Sequence, residues 1–220
     1  MLTTTQYADT GLVDKQFAMI LKGMDGLGVL EDVDISRNEL TAKSADMLTS
    51  CIINKKCKQI KTLDLSYNPL DSASVSGLAE SLFRTNLVQL HLAGVGLDHR
   101  AAKGIAFLLD NSTVLEELDL SWNMLGPVGC AVLAEALRYN QSVLSIDLSH
   151  NALGADGGAS IGEVRTVCTT VSILAEPLVR SSRKLFVFVK HHFRTICDPF
   201  SALFAPQCSF VLANPSVRST

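Results

Sequence analysis

The stretch LEELDLSWNMLGPVGCAVLAEAL, residues 115–137, contains one complete copy of a pattern that recurs along most of the chain. It opens with the spacing L-x-x-L-x-L-x-x-N-x-L, which predicts a short strand followed by a turn. Cys130, Leu133, Ala134 and Leu137 then follow three and four residues apart, as one face of a helix requires. A unit of strand, turn and helix cannot bury its apolar face alone, so we expect it to stack on neighbouring copies.

Copies of this pattern can be aligned in one register along the chain. Their first apolar position falls, in steps of 28, 30, 27, 28 and 28 residues, at Leu2, Leu30, Ile60, Leu87, Leu115 and Val143. The position of the asparagine is occupied by Thr10, Asn38, Asn68, Val95, Asn123 and Asn151. The repetition predicts an array of about six repeats over residues 1–163, stacked as a solenoid, in which the last copy is incomplete.

Most copies have an asparagine where the chain leaves the strand, and we predict a structural ladder formed by Asn38, Asn68, Asn123 and Asn151. A side-chain amide at such a turn can bond buried backbone groups that no strand ladder reaches. Val95 interrupts this column within the sequence AGVGL. We expect glycine flexibility to replace the missing side-chain bond there and the turn to be looser.

Repeats of about 28 residues that carry a full helix, with the segments LGPVGCAVLAEAL and SVSGLAESL, resemble the ribonuclease-inhibitor type of leucine-rich repeat. The resemblance implies an α/β fold, a curved solenoid with parallel strands on its concave face and helices on its convex face. The same repeat type is found in Ran GTPase-activating proteins and in the sensor regions of NOD-like receptors. The resemblance covers residues 1 to about 163 and predicts the fold more than the function, because this solenoid serves many unrelated partners.

Composition excludes several classes of protein. A hydrophobic content of 47% can supply a long buried core, and a net charge of −3 gives no reason to expect nucleic acid as the partner. The first residues show no secretory signal pattern, and no uninterrupted apolar stretch reaches the roughly 18 to 20 residues of a membrane helix. We interpret the six cysteines as free thiols in a reducing compartment. We therefore expect the cytoplasm, with the nucleus as a second location.

The repeat pattern stops near residue 163. At Arg165 the register predicts leucine, and residues 164–220 then carry seven Lys or Arg and two acids, a charge of +5 against −8 for the residues before them. This irregular, basic and aromatic tail has three possible origins: a cap on the last repeat, a disordered segment, or a translated intron. The intron hypothesis rests on Glu163-Val164-Arg165, which GAG GTG AGA would encode in the form of an exon end and a splice donor.

No residue pattern predicts catalysis or a cofactor. The chain has no G-x-x-x-x-G-K-[ST] motif, and Asp147, Ser149 and His150 are neighbours on a regular strand and its exit rather than a catalytic set. In the tail, KLFVFVKHHF could lie on a membrane surface or pack on the last repeat, and we favour packing. Its histidines and the nearby cysteines do not have zinc-motif spacing. We expect no catalytic residue, no metal ion and no cofactor.

Acidic residues follow the predicted strands. The position between the two core leucines of each strand faces the concave surface and is occupied by Asp34, Asp64, His91, Asp119 and Asp147, with Glu117 at an adjacent exposed position. Parallel strands lie roughly 4.8 Å apart, so these carboxylates would form a ladder that attracts a partner with a basic surface. The alternative is that the sequence L-D-L-S is simply common in this repeat type and indicates no ligand.

Aromatic residues occupy the position just before the asparagine. Tyr67, Trp122 and His150 share this column with Arg37 and Gly94, and Trp122 is the only tryptophan in the chain. We predict that these side chains lie at the edge of the concave face and bind a partner, because Trp and Tyr are frequent binding hot spots. Partial burial against the neighbouring turn is the alternative.

Together these patterns predict a non-enzymatic scaffold that binds a partner protein on its concave face. The first alternative is a GTPase-activating protein of the Ran-activator type, although no motif for that activity can be matched. The second is the ligand-sensing repeat region of a NOD-like receptor, or a fragment of a longer repeat protein. The pattern does not indicate an oligomeric state.

Overall fold

A computed structural model of the chain describes residues 4–23, 31–54, 57–167, 172–174, 185–186 and 212–213. The helices are α1 (Asp14–Gly23), α2 (Ala42–Ile53), α3 (Ser72–Leu82), α4 (Ala102–Asn111), α5 (Gly126–Tyr139) and α6 (Gly154–Val167). The strands that alternate with them are β1 (Thr4–Gln6), β2 (Asp32–Asp34), β3 (Thr62–Asp64), β4 (Gln89–His91), β5 (Glu117–Asp119), β6 (Ser145–Asp147) and β7 (Ser172–Leu174). A separate antiparallel pair is formed by β8 (Leu185–Phe186) and β9 (Leu212–Ala213).

The strands of the repeats form one open parallel sheet in chain order from β1 to β7. Equivalent positions of successive repeats pair directly, so that Leu118 lies between Leu90 and Ile146. Each of the strands β1 to β6 is followed by a helix that packs against the helices of the adjacent repeats. This arrangement confirms the predicted α/β solenoid of stacked repeats.

Leucine positions of the pattern form a continuous core between the strands and the helices. In β2 to β6 only the middle strand residue is buried, and its two neighbours are half-buried. Leu118 and Leu120 from the strand region meet Leu133 and Leu137 from α5 in this core, all at no more than 1% exposure. A fully buried leucine contributes about 1.5 to 3 kcal/mol. Because each repeat shares this core with its neighbours, stability depends on stacking.

Asparagine side chains connect each turn to the repeat before it. The Asn123 Oδ1 accepts hydrogen bonds from the backbone N–H groups of Val95 (3.1 Å) and Leu97 (2.9 Å) in the preceding repeat. Its Nδ2 donates to the carbonyl oxygen of Leu92 (2.8 Å) and to two carbonyl oxygens of its own turn. The same kind of bridge is made by Asn38, Asn68 and Asn151. One buried amide therefore satisfies backbone groups of two repeats.

At Val95 no amide is present, and the turn of the preceding repeat closes differently. The Leu70 N–H donates to the carbonyl oxygen of Asn68 (2.8 Å), whereas the equivalent N–H groups elsewhere bond the next asparagine. Val95 itself is buried at 3% exposure. Gly96 adopts a φ of +82°, which uses the freedom of glycine at this turn. The Val95 turn is thus filled by a buried apolar side chain.

Carboxylates hold the first turns of two helices. The N-cap residue Asp71 of α3 accepts a hydrogen bond from the Ser74 N–H (2.6 Å), and this bond lowers the pKa of the Asp71 carboxyl. Asp14 of α1 accepts bonds from Thr41 and Ser44 at the start of α2. Burial alone would raise the pKa of Asp14, but these bonds outweigh it and lower the pKa. The Asp14 carboxylate thereby joins two successive repeats.

The backbone ladder continues past residue 163, where the side-chain pattern is lost. Helix α6 runs on to Val167, Val164 is buried, and β7 pairs with β6 so that Ile173 lies beside Ile146. The backbone pairing of the array therefore continues beyond the last residue that fits the sequence pattern. Parallel pairing uses backbone groups, so a strand can join the sheet without the consensus side chains. The domain boundary at residue 163 stays a prediction about the sequence pattern, and the segment KLFVFVKHHF lies largely outside the described residues.

The cysteine interpretation needs a correction, because Cys51 and Cys57 form a disulfide with their Cα atoms 5.9 Å apart. Cys51 lies in the last turn of α2, and Cys57 lies between α2 and β3. Cys130 has a free thiol, and burial raises its pKa to about 12. The remaining cysteines lie outside the described residues. The argument from free thiols to a reducing compartment no longer holds, and the cytoplasmic location stays a prediction.

None of the helices in the described ranges is long and apolar enough to span a membrane.

Replacing Asn123 with alanine should lower the free energy of unfolding by about 2 to 4 kcal/mol, because backbone groups of two turns lose buried hydrogen bonds. Urea unfolding followed by circular dichroism measures the change. Asn86→Ala, at an exposed position of a loop, is the matched control and should change stability by less than about 0.5 kcal/mol. Equal losses in the two variants would show that the amide bridge does not stabilise the array.

Candidate protein-binding face

The outward side of β2 to β6, called the strand face here, presents two columns of half-buried side chains. The first residue of each strand forms one column, with Asp32, Thr62, Gln89, Glu117 and Ser145. The third residue forms the other, with Asp34, Asp64, His91, Asp119 and Asp147. Acids occupy more than half of these ten positions, and neither column contains a lysine or an arginine. The strand face is therefore strongly acidic.

Each aspartate of the third-residue column also has a structural role. The Oδ1 atom of Asp119 accepts a hydrogen bond from the Ser121 N–H (2.9 Å), two residues further on. The same bond is made at Asp64 (2.8 Å), Asp147 (2.8 Å) and Asp34 (3.1 Å). The aspartate of the sequence L-D-L-S thus stabilises the local turn. The bond also fixes each carboxylate in place, so the two roles are compatible.

Strand β4 departs from this arrangement at His91. Since no aspartate is present, the N–H group of Ala93 donates instead to the Ser66 Oγ of the preceding repeat (3.1 Å). The acidic column therefore has a gap at its centre, between Asp64 and Asp119.

Hydrogen bonds link side chains of the first-residue column across the strands. The Thr62 hydroxyl donates to Gln89 Oε1 (3.3 Å), and Gln89 Nε2 donates to Glu117 Oε2 (3.1 Å). One residue before the strands, Lys61 forms an ion pair with Glu31 (2.9 Å). Glu117 is thus held by Gln89, and the basic side chain of Lys61 is already paired with an acid.

The residues just before the asparagines share an unusual backbone conformation. Arg37, Tyr67, Gly94, Trp122 and His150, called the left-handed column here, have φ values of +55°, +56°, +63°, +57° and +56°. Their N–H groups continue the inter-repeat ladder, as Tyr67 does to Ala93 (2.7 Å) and Trp122 to Ser149 (3.0 Å). This conformation is uncommon for residues other than glycine. It directs large side chains outward, where they lie beside the acidic columns.

Neighbouring side chains of the left-handed column contact each other in two pairs. The Arg37 guanidinium carbon lies 4.6 Å from the Tyr67 ring centroid, and the Trp122 and His150 rings are stacked with centroids 3.7 Å apart. Tyr67 and Trp122 nevertheless remain 42% and 57% exposed. The Tyr67 ring lies over Gly94, since a Cβ atom added there would be 2.6 Å from two ring carbons. These rings are held in position before any partner binds.

The structure brings the sequence-predicted site residues together in three adjacent columns on one face. Sequence reasoning missed the left-handed backbone that aims the aromatic side chains, and the only signal for it was Gly94 in the same column. It also missed Met124, which is 66% exposed and lies two residues beyond Trp122. Within the described ranges, no group of three or more His, Cys, Asp or Glu residues is arranged to hold a metal ion.

Comparisons with known proteins agree with this architecture. A family model described as "Leucine Rich repeat" matches residues 56–79, 111–134 and 139–162. The human "NACHT, LRR and PYD domains-containing protein 5" is 31% identical over 119 residues, which cover 53% of this chain and 10% of that protein. The rat "NACHT, LRR and PYD domains-containing protein 1a allele 1" is 38% identical over 100 residues, covering 43% of this chain and 8% of that protein.

A third relative, the human "NACHT, LRR and PYD domains-containing protein 12", is 30% identical over 165 residues, covering 60% of this chain and 15% of that protein. The chain therefore contains leucine-rich repeats, and these are similar to repeats of NACHT, LRR and PYD domains-containing proteins. The chain corresponds to only a small part, 8% to 15%, of the length of these relatives.

Gly94→Ala should destabilise the protein more than Gly126→Ala, although both glycines have a φ of +63°. Alanine at either position is strained by about 1 to 2 kcal/mol, but only at Gly94 must it also displace a ring, that of Tyr67. Urea unfolding compares the two variants, and the aromatic resonances of Tyr67 report the displacement. If both variants lose the same stability and the Tyr67 resonances do not move, the ring does not pack on Gly94.

Proposed function

We propose that this repeat region binds a partner protein on the strand face, with the left-handed column as its anchor and the acidic columns as its electrostatic guide. The observation that carries the proposal is the position of Tyr67 and Trp122. Both rings are exposed, both are fixed by neighbours, and both lie beside columns that contain only acidic or uncharged side chains and one histidine.

The rings are suited to an anchoring role for energetic reasons. Tryptophan and tyrosine bury a large area with few rotatable bonds, so little side-chain entropy is lost when a partner covers them. Stacking on His150 and Arg37 reduces that loss further, because the bound orientation is already adopted. A few such residues near the centre of an interface usually contribute most of the binding energy.

The acidic columns favour a partner with a basic surface. Their carboxylates repeat along neighbouring strands roughly 4.8 Å apart, so their fields add over the whole face. A complementary positive partner would be steered to the face at a higher association rate. The aspartates would gain these contacts without losing their turn bonds, because Oδ1 alone accepts from the serine N–H groups.

The relatives bear on the other candidate functions. They are NACHT, LRR and PYD domains-containing proteins, so the comparisons do not favour a GTPase-activating protein of the Ran-activator type. A non-enzymatic role agrees with the general use of such repeats as binding surfaces. The short span relative to these proteins supports a role as the sensing repeat region of a longer receptor, or as a fragment of one.

Replacing both Tyr67 and Trp122 with alanine should weaken capture of the partner by roughly 1 to 3 kcal/mol for each anchor, because most of their exposed ring area is covered on binding. The full chain serves as bait in an extract of its native cells, and recovered proteins are quantified by mass spectrometry. Tyr139→Ala is the matched control, since this ring is 75% exposed but lies at the end of α5. Equal recovery with all baits would refute the anchor role.

Replacing Asp64 and Asp119 with asparagine should slow association and make it less sensitive to salt. Asparagine keeps the acceptor for the serine N–H groups, so the turn is preserved while two charges are removed. Capture is compared at about 0.05 M and about 0.5 M salt, where screening differs strongly. The control changes the exposed helix residues Asp46 and Asp110 to asparagine, which alters the net charge equally. Identical salt dependence in both variants would contradict electrostatic guidance by this face.

A further inference from the structure

Strand β4 and its turn depart from the repeat pattern at several neighbouring positions. His91 replaces the aspartate, Ala93 the serine, Gly94 the large side chain and Val95 the asparagine. The consequence is one gap in each column at the centre of the array. Tyr67 and Trp122, and likewise Asp64 and Asp119, are two strands apart instead of one, which doubles the local period.

Two pairs of residues define this doubled period. Tyr67 and Trp122 belong to the turns after β3 and β5, with Gly94 between them, and the left-handed column keeps all of them in one row. Asp64 and Asp119 end the same two strands, with His91 between them. Adjacent strands lie roughly 4.8 Å apart, so each pair is separated by roughly 9.6 Å along the solenoid.

This separation matches one particular backbone conformation of an extended partner. A polyproline II helix has three residues per turn and a rise of about 3.1 Å per residue, so side chains on one face recur about every 9.3 Å. Side chains on one face of a β-strand recur every ~6.8 Å, which does not fit the doubled period. When a chain in the polyproline II conformation runs across the strands, its residues three apart lie beside Tyr67 and Trp122. The same spacing matches Asp64 and Asp119.

We propose that the strand face binds a proline-rich segment of the partner in the polyproline II conformation, with a basic residue beside each proline on that face. This inference rests on the proposed function and specifies its partner. Prolines three residues apart pack on Tyr67 and Trp122. The arginine or lysine that follows each proline reaches Asp64 or Asp119 in the adjacent column.

The contacts around the rings support this assignment. Proline-rich segments dock on surfaces formed by aromatic side chains, because a preformed polyproline II helix loses little entropy on binding. Here Tyr67 is contacted by Arg37 of the preceding repeat and by the backbone at Gly94 of the following repeat, and Trp122 is contacted by His150, while both rings remain exposed. The carboxylates of Asp64 and Asp119 are likewise fixed through Oδ1. Both rows are ordered before binding, as a rigid ligand requires.

The test uses two synthetic peptides of identical composition and the fluorescence of Trp122, the only tryptophan in the chain. The first peptide is three copies of Pro-Arg-Ser, and the second contains the same nine residues in an order in which no two prolines are three apart. The full chain is titrated with each. We expect a saturable change with the first peptide and about tenfold weaker binding of the second, which corresponds to one unit in log Kd.

Two variants separate this inference from the function on which it rests. Tyr67→Ala should abolish the preference for the first peptide, and Asp64→Asn with Asp119→Asn should weaken both peptides. Equal binding of both peptides to the unmodified chain, lost in the aspartate variant, would overturn the polyproline II inference and leave an acidic protein-binding face intact. Absence of binding by the first peptide would also overturn it, whereas the proposed function is decided by the capture experiment with Tyr67 and Trp122.

Discussion

The buried asparagine amide is the interaction on which the rest of this structure depends. A chain that leaves a three-residue strand and turns towards a helix exposes backbone N–H and carbonyl groups that no ladder can pair. Asn123 satisfies such groups in its own turn and in the turn before it, through both atoms of one amide. Burying these groups unpaired would cost several kcal/mol in total, on the order of 1 to 3 kcal/mol each. The amide therefore sets the shape of the turn and the stacking of the repeats together.

The same turn determines the candidate binding surface. With the asparagine directed inward, the residue before it adopts a left-handed conformation, as Trp122 does at a φ of +57°. Its side chain then points outward beside the third strand residue. Structural and candidate binding positions are thus interleaved: Asp119 is half-buried, Leu120 and Ser121 are buried, Trp122 is exposed and Asn123 is buried.

This alternation explains how much could be predicted from the sequence. Buried positions recur once in every repeat, so the columns that contain Leu118 and Asn123 predicted the solenoid and its register directly. Stacking of Trp122 on His150 could not be predicted, because it depends on a backbone angle for which tryptophan and histidine give no signal. The Cys51–Cys57 disulfide was missed because it depends on the path of the turn after α2. Strand β7 was missed because backbone pairing needs no consensus side chain.

The turn after β4 lacks two features that the repeats of Asn38, Asn68, Asn123 and Asn151 share, the asparagine bridge and the hydrogen bond from the serine N–H to the aspartate. The structure compensates at each point: Ser66 bonds the Ala93 N–H, Val95 is buried, and the Tyr67 ring covers Gly94. A repeat that departs from the consensus and needs such compensation indicates a candidate functional site. The reason is that local sequence preferences normally agree with the global fold except at functional sites. Two of the departures, His91 and Gly94, lie in the outward-facing columns, where they leave the pair Tyr67 and Trp122 and the pair Asp64 and Asp119 at a doubled spacing. The repeat that lacks the two structural hydrogen bonds is therefore also the one that widens the spacing of the candidate binding residues.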